Sequence, residues 1–254
     1  MDLSDFYPSP SKLITSELSV LECLRTNPYI KEKHPQVATD ADIYYPRNKS
    51  TGSGFTFHSF FDIFHAPMRS KKAAFGGRGK SKPNTRLTIS ALIDVSNGAF
   101  ANVTYCLSVC RIQASTPQAR LTILRKFHFD VAVHSALAPH QLQQHPRCHL
   151  QYCGEMVPYM ETVGCRSTQL EQMHPWLSEP RIFFWPISLG LLIDMALREF
   201  PDQDSAKFRS DSYWRGIVRK QEALVLRPFY EKCVEVIKDN KGLNQTLADA
   251  FYVP

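Results

Sequence analysis

Hydrophobic positions along the chain run at helical spacing near the N-terminus, at strand spacing through the middle, and at helical spacing again toward the C-terminus. Leu13, Leu18, Leu21 and Leu24 form a stripe with Glu17 and Glu22 assigned outside it. A helix is therefore predicted over residues 11–26, capped by Ser11. Asn27-Pro28 ends it, because a residue before proline is disfavoured in helical conformation. The polar text from Lys31 to Ser53, punctuated by Pro35, Pro46 and Gly52, predicts a long irregular connection. The aromatic run Phe55 to Phe64 is assigned to a short strand.

From Thr85 the period becomes two. Leu87, Ile89, Ala91 and Ile93 alternate with Thr88, Ser90 and Leu92, and Asn97-Gly98 supplies a type I′ hairpin turn into Val103, Tyr105, Leu107 and Val109. A turn at Ser115-Thr116-Pro117 leads into Leu121, Ile123, Phe127, Phe129, Val131 and Val133, and a last strand is predicted over Cys148 to Cys153. Residues 86–153 thus read as a four-stranded antiparallel meander. The run Pro180 to Trp185 reads as a short buried strand or apolar plug. Helices follow over about Leu189–Glu199 and Asp211–Leu226, with Pro228 kinking or restarting the second, so the C-terminal helical part spans 187–238. The expected architecture is a single α+β domain over residues 1–254, its meander packed by the N-terminal helix and the C-terminal helices.

Composition narrows the class. A chain of 254 residues with 43% hydrophobic content can bury one substantial core. The longest apolar stretch, Ile182 to Leu197, is interrupted by Pro186, Ser188, Gly190 and Asp194, so it does not suit a bilayer core of about 30 Å. Met-Asp-Leu-Ser-Asp at the start lacks the basic and apolar regions of a secretory signal, and a cytoplasmic location without membrane contact is expected. The 7 cysteines are an odd count that reads as reduced thiols rather than a disulfide framework. The net charge of +6 is unevenly placed. No acidic residue falls between Asp62 and Asp94, a window holding Arg69, Lys71, Lys72, Arg78, Lys80, Lys82 and Arg86. Residues 69–85 are predicted to form a flexible basic loop, either a solvated surface or a contact for nucleic-acid phosphates. On the second C-terminal helix, Arg215, Arg219 and Lys220 form a charged face, expected to be solvated, with nucleic-acid contact as the alternative.

The chemistry concentrates between His128 and His149, where five of the 9 histidines lie. If Leu121 to Val133 turns its odd positions to the core, Lys126, His128 and Asp130 occupy the other face, and a neighbouring strand that buries Leu150 and Tyr152 adds His149 and Gln151 to it. Three arrangements remain open. His145, Cys148, His149 and Cys153, with Cys165, have residue types that bind zinc, although paired Cys-x-x-Cys knuckles are missing. His128, Asp130 and His149 suit acid and base roles in phosphodiester cleavage, metal-free or with a divalent cation, with Lys126 stabilising the developing charge. The plainest alternative is a set of half-buried sheet histidines bonded to loop carbonyls, which needs no cofactor.

The series Phe127-His128-Phe129-Asp130, His145-Pro146-Arg147-Cys148-His149-Leu150, Pro180-Arg181-Ile182 and the proline-led helix after Pro186 resembles an uncharacterised prokaryotic domain family with F-x-F-D, H-P-x-x-H-L and P-R-I motifs. The resemblance covers about residues 121–200. Val131 departs from it, replacing an aromatic residue, and residues 134–144 form a long insertion. It implies an antiphage-defence setting and carries over only His145, His149 and Asp130. The element order also resembles a ubiquitin-conjugating-enzyme-like fold, whose activity would require a thiol such as Cys153 or Cys165.

The expected function is a non-enzymatic accessory component of such a system, binding another protein of the system and nucleic acid, DNA or RNA. The aromatic runs at Phe55–Phe64 and Ile182–Trp185 and the tail Phe251–Pro254 are expected to serve partner surfaces. The alternative is a nuclease effector acting through His128, Asp130 and His149.

Overall fold

Strand alternation and one tight turn build the centre of the molecule. A computed structural model describes residues 3–42, 52–63, 85–113, 120–131, 145–146, 148–152, 181–200, 205–239 and 252–253. Strands β1 (Gly52–Ile63), β2 (Thr85–Ser96), β3 (Ala99–Gln113), β4 (Arg120–Val131), β6 (Cys148–Tyr152) and β7 (Arg181–Phe183) form a six-stranded sheet in the order β1-β2-β3-β4-β6-β7. All five pairings are antiparallel. At the β2–β3 turn, Asn97 and Gly98 have φ of 53° and 77°. These are the left-handed values a type I′ turn requires.

The chain is α+β, and the sheet is wider than the four-stranded meander expected. The aromatic run extends into the 12-residue strand β1 and pairs with β2 along its whole length. The run after Pro180 adds β7 at the opposite edge. Both runs carry the aromatic and branched residues that favour a half-buried pleated surface. Two further strands, β5 (His145–Pro146) and β8 (Tyr252–Val253), pair with each other in a separate ladder. Part of the C-terminal tail therefore pairs within its own chain.

Helices cover one sheet face. Helix α1 (Pro10–Thr26) contributes Leu13, Val20, Leu21 and Leu24 to the core. Facing them are Phe55, Phe57 and Phe61 of β1, Leu87, Ile89 and Ile93 of β2, and Val103, Tyr105 and Leu107 of β3. Phe55, Phe57 and Phe61 of the Phe55–Phe64 run thus supply core, Phe60 lies half-buried on the opposite face, and Phe64 lies outside the described residues. Residues 31–40, expected to be irregular, are mostly helical: α2 (Pro28–Lys33) and α3 (Pro35–Asp40) each begin with proline. Proline is favoured at the first helical position, where its missing N–H has no partner to lose. The same residues that read as breakers therefore start helices.

At the C-terminal end, α4 (Leu189–Glu199), α5 (Ser205–Ser210) and α6 (Ser212–Gln221) complete the helical layer. A π-helical turn over Glu222–Leu226 joins α6 to α7 (Arg227–Asp239). Pro228 falls in the first turn of α7, and the wider turn before it has the Arg227 N–H donating to the Glu222 carbonyl. Proline is accommodated there without ending the rod. Among the described residues no helix is long and apolar enough to cross a membrane.

A carboxylate fastens these layers together. Glu17, assigned to the exposed side of α1, is fully buried. Tyr105 donates its hydroxyl to Glu17 Oε1 at 2.6 Å, Gln221 donates Nε2 to Oε2 at 2.8 Å, and the Leu189 N–H donates at 3.1 Å. Glu17 thereby caps α4 from a different helix, satisfying an N–H that helix geometry leaves without an internal partner. The nominal cap residue, Ser188, donates instead to Gln221 Oε1 at 2.8 Å. Gly190 lets this cluster close, because a Cβ there would collide with the Gln221 side-chain oxygen. Burial pushes Glu17 up to about 7, against the lowering effect of its three donors.

Candidate functional site on the second face of the sheet

The sheet face turned away from α1 carries a different chemistry. Antiparallel register aligns its residues in cross-strand rows. Thr88, Ser108 and Lys126 form one row; His58, Ser90, Cys106, His128 and Gln151 form the next; Leu92, Thr104, Asp130 and His149 form the third. Strand β4 carries Lys126, His128 and Asp130 at alternate positions, so these three side chains emerge on one face. The register sets Asp130 opposite His149 and His128 opposite Gln151.

The candidate residues are close but not uniformly engaged. His149 Nε2 lies 3.7 Å from Asp130 Oδ2, an ion-pair rather than a hydrogen-bond separation. His128 Nδ1 is 3.3 Å from Cys106 Sγ, while its Nε2 is buried without a hydrogen-bond partner. Burial, then the charges of Lys126 and His149, push the His128 imidazole down to about 4. Burial pushes the Cys106 thiol up to about 11, with Lys126 opposing and Asp130 adding to the rise. The Cys106–His128 contact is thus a neutral thiol beside a neutral imidazole at pH 7. It is not the thiolate–imidazolium pair that activates a cysteine nucleophile.

Two histidines that divide acid and base work need one imidazole protonated and one free near the operating pH. His128 cannot be the acid at neutral pH, and so low a value makes it a weak base. Lys126 is fully buried in the adjoining row. Strand alternation also reveals Cys106, which the hydrophobic pattern of β3 implied: with Val103, Tyr105, Leu107 and Val109 inward, Cys106, Ser108 and Cys110 must point the other way.

The remaining candidates separate. Cys148 belongs to the core face and His149 to the second face, so adjacent residues on β6 cannot ligate one ion together. His145 lies on β5, outside the main sheet. Cys153 and Cys165 fall outside the described residues. Among the described residues, no group of three His, Cys, Asp or Glu side chains is arranged to hold a metal ion.

Of the basic window, Arg69, Lys71, Lys72, Arg78, Lys80 and Lys82 lie outside the described residues, as does nearly all of the 69–85 loop. Arg86 lies on β2 directly opposite Asp62. It donates Nε and Nη2 to that carboxylate at 2.7 and 2.9 Å, and its guanidinium sits 3.7 Å over the Phe60 ring. Its charge is neutralised within the sheet and is not free for a phosphate. Strand pairing brings together two residues that lie 24 positions apart along the chain.

Of the expected aromatic surfaces, the side chains of Ile182 and Phe183 and residues Phe251 and Pro254 lie outside what the structure describes. Trp185 is 44% exposed and stacked on Phe184 with ring centroids 3.9 Å apart. The larger apolar exposure lies on α7, at Tyr230, Val234 and Ile237, which are 52%, 48% and 62% exposed. Comparison with known proteins adds no relative to this geometry: no protein-family model, curated protein or solved structure matches the chain.

Proposed function

We propose that the chain is a non-enzymatic interaction component that holds a partner protein on α7 and binds nucleic acid, in the prokaryotic defence setting that its motifs suggest. The observation that carries the proposal is the width of the apolar sector of α7. Phe229 is buried, and Cys233 and Val236 pack against the core. Tyr230, Val234 and Ile237, at helical spacings of four and three, line the adjacent edge of the same sector and face solvent. A helix needing only to cover its own core would carry polar residues there.

Charge indicates what fits. The stripe is bordered by ion pairs satisfied within the helix, Arg227 Nε to Glu231 Oε1 at 2.7 Å and Lys232 Nζ to Glu235 Oε1 at 2.8 Å. An apolar centre with a charge-balanced rim suits the apolar face of a helix from a partner protein. With the chain expressed beside its genomic neighbours, one neighbour is expected to co-purify with the wild type and to be lost from V234E/I237E. That variant's thermal unfolding should stay within the small change expected of exposed sites, about 0.5 kcal/mol. Undiminished co-purification of the same neighbour would remove α7 from the proposal.

A second function, phosphodiester cleavage, draws on the 3.7 Å approach of His149 to Asp130 beside His128. It predicts that H128A/H149A loses turnover and keeps its affinity for nucleic acid. The low basicity of His128 favours the interaction component.

A further inference from the structure

Four arginines converge where α4, α5 and α6 meet. Arg198, Arg209, Arg215 and Arg219 line a cleft of about 420 Å³, with Asp194 and Glu222 as the acidic residues in its wall. Asp194 is nearly buried and works as a brace. Its Oδ2 accepts Arg198 Nη2 at 2.9 Å, and its Oδ1 accepts Arg209 Nε at 3.1 Å and the Trp214 indole N–H at 3.2 Å. One carboxylate thus orients two guanidinium groups whose combined charge it only half neutralises. Arg215 and Arg219, one turn apart on α6, have no ion pair among the described residues. The guanidinium charges exceed the carboxylate charges in the wall by two.

Arginine suits phosphate because its planar fork can donate two parallel hydrogen bonds to a phosphate's oxygens. Fixing two forks in advance lowers the ordering cost of binding. Among the described residues no aromatic ring lines the cleft, so they offer nothing on which a base could stack. Its chemistry addresses phosphates rather than bases.

A second groove lies on the other side of α6. It is lined by Lys12, Thr15 and Ser19 of α1 together with Lys220 and Ile217 of α6. Arg219 and Lys220 are consecutive, so the two clefts adjoin across one helix. An isolated phosphate would need only the first; a chain of phosphates could engage both.

We propose that the arginine cleft, continued by the Lys12–Lys220 groove across α6, binds the sugar-phosphate backbone of a nucleic-acid strand without regard to sequence. This deepens the interaction function proposed above, and rests on it, by naming the residues that contact nucleic acid.

The test uses the full chain and a fluorescein-labelled, mixed-sequence single-stranded RNA, with DNA of the same sequence as a second probe. Affinity is measured over a series of salt concentrations for the wild type, R215A/R219A and R215K/R219K. Arg215 and Arg219 are exposed, so the folded state should be kept, as thermal unfolding will check. The alanine variant is expected to bind at least about tenfold more weakly, with the slope of log affinity against log salt reduced by about 1.4, as for two lost single-strand phosphate contacts. The lysine variant should keep most of the slope and recover part of the affinity. Tripolyphosphate should compete with both probes. Wild-type binding that R215A/R219A reproduces in affinity and slope overturns the cleft and leaves nucleic-acid binding standing. A wild type that binds neither probe overturns both.

Discussion

Replacing Glu17 with alanine is expected to destabilise the fold by about 3–5 kcal/mol, read from urea denaturation at pH 7. The substitution strands the Tyr105 hydroxyl and the Leu189 N–H in a fully buried site and leaves the Gln221 amide nitrogen only its longer bond to Ser16 Oγ, at 3.2 Å. Each buried donor left unpaired costs about 1–3 kcal/mol. Part of that loss is offset because the carboxylate is itself costly to bury. Glu17→Gln should lose less, since an amide oxygen still accepts while the amide nitrogen meets a donor.

The same residue sets a pH dependence. Glu17 has its pKa raised from 4.5 to about 7. Below pH 4.5 it is protonated whether the chain is folded or not. Between 4.5 and 7 the unfolded chain gives up the proton and the folded chain keeps it, so stability falls as pH rises, by about 3 kcal/mol over the window. Above 7 the contribution is flat.

His128 is expected to tilt stability the other way. Its pKa is lowered from 6.5 to about 4. Above pH 6.5 it is neutral in both states. As pH falls from 6.5 to 4 the unfolded chain takes a proton that the folded site refuses, and up to about 3 kcal/mol of stability is lost, less where solvent screens the ring. The two slopes therefore oppose each other between pH 4.5 and 6.5 in the wild type. E17Q should become acid-labile, and H128Q should gain stability on acidification. The double variant should return toward the wild-type profile. Urea midpoints at pH 4.5 and 6.5 for the four proteins check this, and parallel profiles would contradict it.

The central sheet was legible because turn chemistry and alternation act locally. Asn97-Gly98 permits the positive φ that its hairpin needs, and the alternation of β4 alone puts Lys126, His128 and Asp130 on one face. Other features depend on partners distant in sequence. Glu17 is four residues from both Leu13 and Leu21, so its position lies on the apolar stripe, yet a charge there reads as exposed until Tyr105, Leu189 and Gln221 supply its donors. Arg86 reads as part of a basic loop until the register sets Asp62 against it. Pro28 and Pro35 each suit either the end of one helix or the start of the next, and the polar residues C-terminal to them hid α2 and α3. The thiol of Cys106 follows from alternation on β3, but its pairing with His128 needs the β3–β4 register.

His128, Asp130 and His149 thus share a face, with the His128 imidazole held neutral at pH 7 by its burial. We propose that association occurs elsewhere, on the apolar edge of α7 and at the arginine cleft. The most direct test follows labelled single-stranded RNA and DNA incubated with the purified wild type and with H128A/H149A, with and without Mg²⁺, recording affinity and strand length in the same samples. Binding with every strand recovered at full length, and equal affinity for the two proteins, is the expected result. Cleavage by the wild type that disappears in H128A/H149A while affinity persists would contradict it.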